Sequence, residues 1–406
     1  MKIGIESKGF DGWGGGIDFV RHIASCIELA DSENQYEKHI LLAKNDGMFY
    51  VKKTVSPFRT LISQLIRKKP LRWQPWKGFD EHYLRKTFLD FQSYQLDFPG
   101  SRFSDHLEFA KTENIDVLIP CISPPPESYS LPWVGYIYDF QHKYLPEFFT
   151  ERDMAGRDFA FSNMLNRGAH VIVNAQAVKQ DADKFIGDYK TKIHVLPFSP
   201  SPREEWLQEN RDLSAQYDIT KPYFIICNQF WIHKDHGTAF KAFAELLKNV
   251  GDSFQLVCTG ETRDFRFPDH FEYLLKLLIE LDIVDKVKIL GHIPKLDQIA
   301  LLKKSIAVIQ PTLFEGGPGG GSAYDAISLG KPLIVSDIPV NQEIEKDERV
   351  FFFEAKSVSD LANKMQNVVE QLFEPINHEV LRQQGEDKKL ACGQVLLNVI
   401  KEAIGR

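Results

Sequence analysis

Short apolar runs alternate with helical patterns along this chain of 406 residues. The runs are rich in Ile, Val, Leu and Phe and are continuous, which is typical of parallel strands buried on both faces of a sheet. Helical patterns such as 235–249 and 270–281 lie between them. The pattern therefore predicts strands at 2–5, 39–43, 116–120, 134–138, 170–173, 193–196, 223–227, 254–258, 287–290, 306–310, 333–336 and 350–353.

Alternating strands and helices form right-handed βαβ units, so the sequence predicts an α/β protein with doubly wound parallel sheets. A chain of this length exceeds one ordinary core and indicates two domains. Three prolines between positions 197 and 202 predict a stiff connector after the sixth run. We expect one Rossmann-like domain at 1–198 and a second at 199–375. The helical tail at 376–406 is expected to cross back to the first domain, as in other two-domain folds of this type.

Composition excludes several classes of protein. Apolar content of 43% and charged content of 26% are ordinary for a globular protein, and a net charge of −7 argues against general nucleic-acid binding. The N-terminus reads as a strand rather than a signal peptide, and no apolar run approaches the roughly 18 residues of a membrane-spanning helix. No two cysteines have metal-ligand or redox spacing, so we expect reduced buried thiols in the cytoplasm, namely Cys26, Cys121, Cys227, Cys258 and Cys392.

Residues 52–77 differ in composition from the rest of the chain. They carry eight Lys or Arg and no Asp or Glu. One interpretation is an amphipathic helix that contacts an anionic membrane surface or a phosphate-bearing acceptor; the other is the solvated face of an ordinary helix. Composition does not separate the two. The apolar positions at helical spacing and the tryptophans after them are Phe58, Leu61, Ile62, Leu65, Ile66, Trp73 and Trp76.

The most informative segment is a loop with five glycines between Gly316 and Gly321, which follows a predicted strand and precedes a predicted helix. Unpaired N–H groups at a helix N-terminus form an anion site. Carboxylates bracket the loop, with Glu315 before it and Asp325 in the helix. Carboxylates accept hydrogen bonds from sugar hydroxyls. Phosphate donors flanked by hydroxyl acceptors predict a pocket for a nucleotide-sugar.

Three further segments end predicted strands, where ligands of open α/β sheets bind. The first holds Gly15 and Gly16 in a glycine cluster, which is either a tight turn or a loop that lets a ligand approach the backbone. The second holds Asn228, Gln229 and Lys234, which suit a diphosphate or a sugar. The alternative for Lys234 is a solvent-exposed lysine, but its position after a strand end favours a functional role.

The third segment, 136–142, ends with His142. A histidine just past a strand end can polarise a hydroxyl or shuttle a proton. For Asp139 and His142 taken singly, a structural role within the loop is nearly as good an explanation.

Over residues 223–345 the chain resembles retaining glycosyltransferases of family 4, which have the GT-B fold of two Rossmann-like domains facing a central cleft. The family's Glu-x7-Glu motif matches Glu315 and Asp325, with two extra residues between them and Asp in place of the second Glu. The resemblance implies that Glu315 lies near the donor sugar and that Asp325 binds the ribose. In the family an Arg precedes the diphosphate-binding Lys by five residues; Lys234 matches the Lys, and Gln229 stands in the Arg position.

The resemblance also implies the chemistry. It implies sugar transfer from a nucleotide-diphospho-sugar to a glycan or lipid-linked acceptor, with retention of configuration, in bacterial surface polysaccharide or glycoconjugate synthesis. No metal and no cofactor are expected. Arg263 or the extra glycine-loop amides would compensate for the missing Arg, and His142 corresponds to a histidine that contacts the donor sugar. The loop residues implied to bind the donor are Gly317, Gly319, Gly320, Gly321 and Ser322.

Two alternatives remain open from the sequence. The altered Arg and Glu positions also fit a non-catalytic nucleotide-sugar-binding subunit, and a GT-B enzyme of another kind, such as a sugar-nucleotide epimerase, shares the fold.

Overall fold

The computed structural model describes residues 1–12, 14–66, 79–264 and 266–405. It contains two sheets in which every strand pairing is parallel, and this confirms the predicted fold class. The first sheet has seven strands in the order β3-β2-β1-β4-β5-β6-β7. Their bounds are β1 Lys2–Glu6, β2 Glu37–Ala43, β3 Tyr94–Gly100, β4 Val117–Cys121, β5 Trp133–Tyr136, β6 His170–Val173 and β7 Lys192–Val195.

The second sheet has six strands in the order β10-β9-β8-β11-β12-β13. In each sheet the strand order reverses direction beside the first strand of the domain, which is where ligands bind in doubly wound folds. The strand bounds are β8 Tyr223–Cys227, β9 Gln255–Thr259, β10 Val287–Gly291, β11 Val308–Gln310, β12 Leu333–Ser336 and β13 Val350–Phe353.

Strand β3 was absent from the sequence prediction. It is an edge strand, paired only with β2, and its residues are mostly half-buried. Its sequence, Tyr-Gln-Leu-Asp-Phe-Pro-Gly, alternates apolar and polar residues, whereas the prediction relied on continuous apolar runs. A proline near its end is tolerated because an edge strand has an unpaired side.

Helices cover both faces of the sheets and supply their apolar faces to the cores. In the first domain they are α1 Gly14–Ala30, α2 Gly47–Ile66, α3 Glu81–Thr87, α4 Phe103–Thr112, α5 Gln141–Tyr144, α6 Glu151–Arg167 and α7 Gln176–Phe185. The others are α8 Glu204–Gln208, α9 His236–Val250, α10 His270–Glu280, α11 Lys295–Lys304, α12 Gly320–Ser328, α13 Val358–Glu370 and α14 His378–Ala403.

Helix α14 leaves the second domain and packs against α1 of the first. A side chain at Gly393 would place its Cβ 2.0 Å from the carbonyl oxygen of Cys26, so the two helices cross in close backbone contact that only glycine permits. Beyond this crossing, Leu396 and Ile400 are fully buried in the core of the first domain. The last helix is therefore part of both domains.

Helix α2 carries an exposed apolar stripe. Val51, Val55, Phe58, Ile62 and Leu65 are between 37% and 65% exposed and recur every three or four residues, which places them on one face of the helix. The remainder of the basic segment, 67–77, with both tryptophans, lies outside the described residues. Among the helices that the structure describes, none is both long and apolar enough to cross a bilayer.

Candidate functional site

A cleft of about 1040 Å³ lies between the two domains. The carboxyl ends of strands from both sheets open onto it, because its lining includes residues that follow β5 and β6 on one side and β8 and β11 on the other. Of the predicted site residues, ten line this cleft, namely Gly15, Asn228, Gln229, Lys234, Glu315, Gly317, Gly320, Gly321, Ser322 and Asp325.

The glycine loop turns into α12 through two residues in the left-handed region, Gly319 at φ 61° and Gly320 at φ 62°. Side chains rarely adopt this conformation. A Cβ on Gly319 would also lie 2.1 Å from the Cβ of Ala323, and one on Gly320 would lie 2.9 Å from the carboxylate of Glu315. The glycines therefore allow the chain to enter the helix while its amides stay next to Glu315.

The N-terminus of α12 leaves backbone donors unpaired. The amide of Gly319 donates to Oδ1 of Asn341 at 2.8 Å, and the amide of Gly320 donates to the carbonyl of Gly317 at 3.3 Å. Neither the amide of Gly321 nor that of Ser322 has an acceptor within the described parts of the chain, and the buried hydroxyl of Ser322 also lacks a partner there. These groups form an anion-binding position at the positive end of the helix dipole.

Lys234 and Glu315 form an ion pair on the wall of the cleft. Their side chains are only 9% and 12% exposed, so both charges are largely removed from water. Gln310, the last residue of β11, donates to Oε1 of Glu315 at 3.1 Å and to the carbonyl of Gly319 at 2.7 Å, while Asn228 donates to Gln310. One hydrogen-bond network thus connects the ends of β8 and β11 with the glycine loop.

Asp325 lies one turn into α12 and is 3% exposed. Burial raises the pKa of its carboxyl group, and the ammonium of Lys295 opposes that shift. Oδ2 accepts hydrogen bonds from Lys295 and, at 3.2 Å, from Gln298. Oδ1 has no hydrogen-bond partner in the described residues and is available to accept from a hydroxyl group.

Four predicted residues do not line the cleft. Gly16 is buried in the first turn of α1, and Gly319 is buried beneath the loop. Arg263 is exposed and is not among the residues that line the cleft, so the structure does not bring it together with the other predicted site residues.

His142 is 1% exposed and packs among Phe140, Phe149 and Phe161, and its Nε2 lies 2.9 Å from Oδ1 of Asp158. Burial lowers the pKa of His142, which favours the neutral ring. In this structure it therefore lies behind the wall of the cleft and not on it.

Sequence reasoning missed Lys295, the partner of Asp325. Lys295 is the first residue of α11, just after the carboxyl end of β10. That position was the available signal, because the other predicted site residues also follow strand ends. Gln310 was also missed, because the sequence prediction included it in an apolar strand and gave its amide group no role in the site.

The first domain closes against the glycine loop. A Cβ on Gly316 would lie 2.4 Å from the carbonyl oxygen of Tyr138, and one on Gly317 would lie 3.3 Å from the Cβ of Asn174. A second contact joins the domains nearby, where the carboxylate of Glu343 accepts the first two amides of α7, from Gln176 at 2.8 Å and Ala177 at 2.7 Å. This carboxylate caps a helix of the opposite domain.

Comparisons with solved structures show that the fold is GT-B. Sucrose-phosphate synthase from Thermosynechococcus elongatus is 14% identical and aligns with a TM-score of 0.61 over 100% of this chain and 96% of that one. HepE from Anabaena, solved with UDP-glucose, is 15% identical and aligns with a TM-score of 0.56 over 99% of this chain and 98% of that one.

Sequence comparison finds matches centred on the second domain. Residues 209–387, which include the glycine loop, match the family model of glycosyl transferases group 1. The O-antigen chain mannosyltransferase RfbU of Salmonella typhimurium is 24% identical over 208 residues, which are 51% of this chain. The match spans 53%, about half, of that relative's length.

Proposed function

We propose that this protein is a glycosyltransferase that moves a sugar from a nucleotide-diphospho-sugar to a glycan or lipid-linked acceptor, with retention of anomeric configuration. The observation that carries the proposal is the arrangement of a buried Lys234–Glu315 pair beside unpaired amides at the start of α12, in a cleft between two Rossmann-like domains. The group 1 family match covers that side of the cleft. By analogy with the O-antigen chain mannosyltransferase, surface polysaccharide synthesis is the proposed context.

The donor diphosphate is assigned to the amides of Gly321 and Ser322 and to the ammonium of Lys234. These groups supply two neutral donors and one charge, and charge-assisted hydrogen bonds of this kind are the strong ones. The free Oδ1 of Asp325 is assigned to a ribose hydroxyl. Glu315, between the loop and Lys234, is assigned to the face of the cleft where the transferred sugar would lie.

Catalysis in this proposal is electrostatic and positional. Lys234 and the α12 amides stabilise the charge that develops on the leaving diphosphate. The acceptor hydroxyl attacks from the leaving-group face, and its proton passes to the departing phosphate oxygen, so no enzymic nucleophile is needed. No step is assigned to His142 because it is buried behind the cleft wall. That transfer needs no metal stays a prediction, checked by comparing activity with and without added Mg²⁺ or Mn²⁺.

We test the donor by measuring thermal stabilisation with UDP, GDP and dTDP, since a ligand that binds only the folded state raises its melting temperature. One nucleotide should stabilise the wild type, and Lys234→Ala should strongly reduce that shift. Lys241→Ala, an exposed lysine on α9, is the matched control and should keep it. Equal stabilisation of the two variants would contradict the assigned diphosphate site.

The two alternatives are separated by product analysis with a labelled donor. Glycosyl transfer requires an acceptor and releases the nucleoside diphosphate. An epimerase changes the donor without any acceptor and leaves its mass unchanged, and a non-catalytic subunit binds nucleotide with no turnover. Either of those outcomes would overturn the proposed reaction.

We also propose that the protein works in the cytoplasm and that α2 and the basic residues after it contact the anionic inner membrane surface. The exposed stripe of α2 supplies apolar contact, and the segment 52–77 supplies eight positive charges with no negative one. Liposome flotation tests this contact. Wild type should float with anionic vesicles more than a variant in which these charges are reversed, and equal partitioning would contradict the proposed contact.

A further inference from the structure

Three potential metal ligands meet where α14 crosses α1. His22 and Cys26 lie one turn apart on α1, and Cys392 comes from α14 beside the close contact at Gly393. One ligand atom from each residue lies within 4.8 Å of the other two. Cys26 and Cys392 are at most 1% exposed, whereas His22 is half-buried. None of these residues has a role in the proposed reaction.

The spacing of these atoms fits a tetrahedral zinc ion. Zinc bonds of about 2.3 Å to sulfur and about 2.0 Å to nitrogen place tetrahedral ligand atoms about 3.5–3.8 Å apart. Nε2 of His22 lies 3.4 Å from Sγ of Cys26, close to that value, and the third ligand is within reach. Two thiolates and one imidazole form a soft ligand set that suits zinc.

We propose that His22, Cys26 and Cys392 bind one zinc ion, which ties the C-terminal helix to the first domain. Oγ of Ser199 lies 2.7 Å from Nε2 of His22, a contact that the ion would replace, and the cluster borders the cleft, which His22, Ser199 and Cys392 line. The cleft is the entry path for the ion. Each thiol releases a proton on binding, because the thiolate is the form that ligates metal.

The surroundings of the cluster support this assignment. Nδ1 of His22 lies 3.4 Å from the hydroxyl of Tyr324, which orients the ring from the second domain. Ligating histidines commonly bond through the other ring nitrogen to such a partner. Since Tyr324 precedes Asp325 in α12, the site is connected to the cleft wall.

A second cluster provides a built-in comparison. His170, His194 and Glu402 also place ligand atoms within 4.8 Å of one another. However, Nζ of Lys192 lies 2.8 Å from the carboxylate of Glu402, so this carboxylate is already paired with a positive charge. The cluster also contains no sulfur ligand. It should bind zinc much more weakly than the thiolate cluster.

The test measures zinc bound to the full chain, purified under reducing conditions, stripped with chelator and titrated with Zn²⁺ at fixed pH. Wild type should bind one equivalent tightly and melt at a higher temperature. Cys392→Ser and His22→Ala should each weaken binding by more than about 100-fold, since losing a ligand costs more than the 10–100-fold of losing an outer partner. Cys121→Ser, an equally buried thiol of the same domain, is the matched control and should bind as wild type does.

Cobalt substitution gives a second readout that does not depend on folding stability. Co²⁺ at this site should show thiolate-to-metal absorption that disappears in Cys392→Ser and persists in Cys121→Ser. The proposal is overturned if wild type binds no zinc at micromolar concentration, or if Cys392→Ser retains tight binding while His194→Ala loses it. Recovery of Cys26 and Cys392 joined as a disulfide from reduced, zinc-supplemented protein would overturn it as well.

Discussion

Replacing either member of the Lys234–Glu315 pair should change nucleotide binding in opposite directions. In the absence of ligand the two charges neutralise each other on the cleft wall. A diphosphate attracts Lys234 and repels Glu315. Lys234→Ala removes a charge-assisted contact worth about 1.5–3 kcal/mol, and each 1.4 kcal/mol is tenfold, so binding of the nucleoside diphosphate should weaken about 10- to 150-fold. Glu315→Gln removes the repulsion and frees Lys234, so binding should be unchanged or tighter.

Lys234→Ala should also lower the free energy of unfolding. Removing one partner of a buried pair costs about 3–5 kcal/mol because it leaves an uncompensated charge. Lys234→Ala should fall at or below the lower end, since Gln310 still donates to Glu315 and the carboxylate borders the cleft. The double variant should be more stable than Lys234→Ala alone, because it leaves no unpaired charge.

Calorimetric titration with the stabilising nucleoside diphosphate and denaturant unfolding measure both effects. Turnover of a nucleotide-sugar should fall in both single variants even where nucleotide binding is kept, because Glu315 is assigned to the sugar. If Glu315→Gln weakened diphosphate binding as much as Lys234→Ala, the assignment of opposite roles to these two residues would be wrong. Wild-type turnover by either variant would contradict the proposed active site.

Three further variants test other parts of the structure. Gly320→Ala should lose about 1–2 kcal/mol of unfolding free energy because its backbone is left-handed, and more because the new Cβ crowds the carboxylate of Glu315. Gly321→Ala has open space around its Cβ and should not lose stability. Equal stabilities of the two variants in denaturant would contradict the loop geometry. Glu343→Gln should weaken the interdomain cap by about 0.5–2 kcal/mol and speed hydrogen exchange of the first amides of α7; unchanged exchange would argue against it. Burial opposes charging of His106, but hydrogen bonding to Glu6 raises its pKa. The pair therefore stabilises the fold below pH 6.5, and this contribution is lost as the pH rises through the pKa of the folded state. Glu6→Gln should remove that pH dependence, which is measured by unfolding across this range.

Much of the fold could be predicted because buried parallel strands leave an uninterrupted apolar signal. The strand at β8 was predicted with the bounds that the structure shows, and several others differ by a residue or two. The edge strand β3 has only one covered side, so its sequence alternates and the same criterion failed. The signal that identified the strands was therefore burial on both faces.

The candidate site could be predicted where chemistry and local chain geometry coincide. The run of glycines indicates a backbone conformation that other residues rarely adopt, and the flanking carboxylates are near it in sequence. His142 and Arg263 were chosen by their position relative to strand ends, but side-chain direction depends on packing that the sequence does not reveal. His142 faces an aromatic cluster, and Arg263 faces solvent.

The cysteines illustrate the same limit. Cys26 and Cys392 are 366 positions apart, so no local spacing rule connects them. They meet only because the last helix returns to the first one. The prediction of buried thiols treats each residue singly; it is confirmed for four of them and wrong for Cys227, which is half-buried and lines the cleft. The cluster with His22 is a property of the tertiary structure.

The return of α14 has a consequence for how the chain acquires its structure during translation. Domains generally fold from the N-terminus as they emerge from the ribosome. Here the first sheet can form early, but the apolar groove beside α1 stays uncovered until Leu396 and Ile400 have been synthesised. The first domain can therefore complete its core only after α14 has been synthesised. A chain interrupted before this helix would leave the groove open to aggregation or chaperone capture.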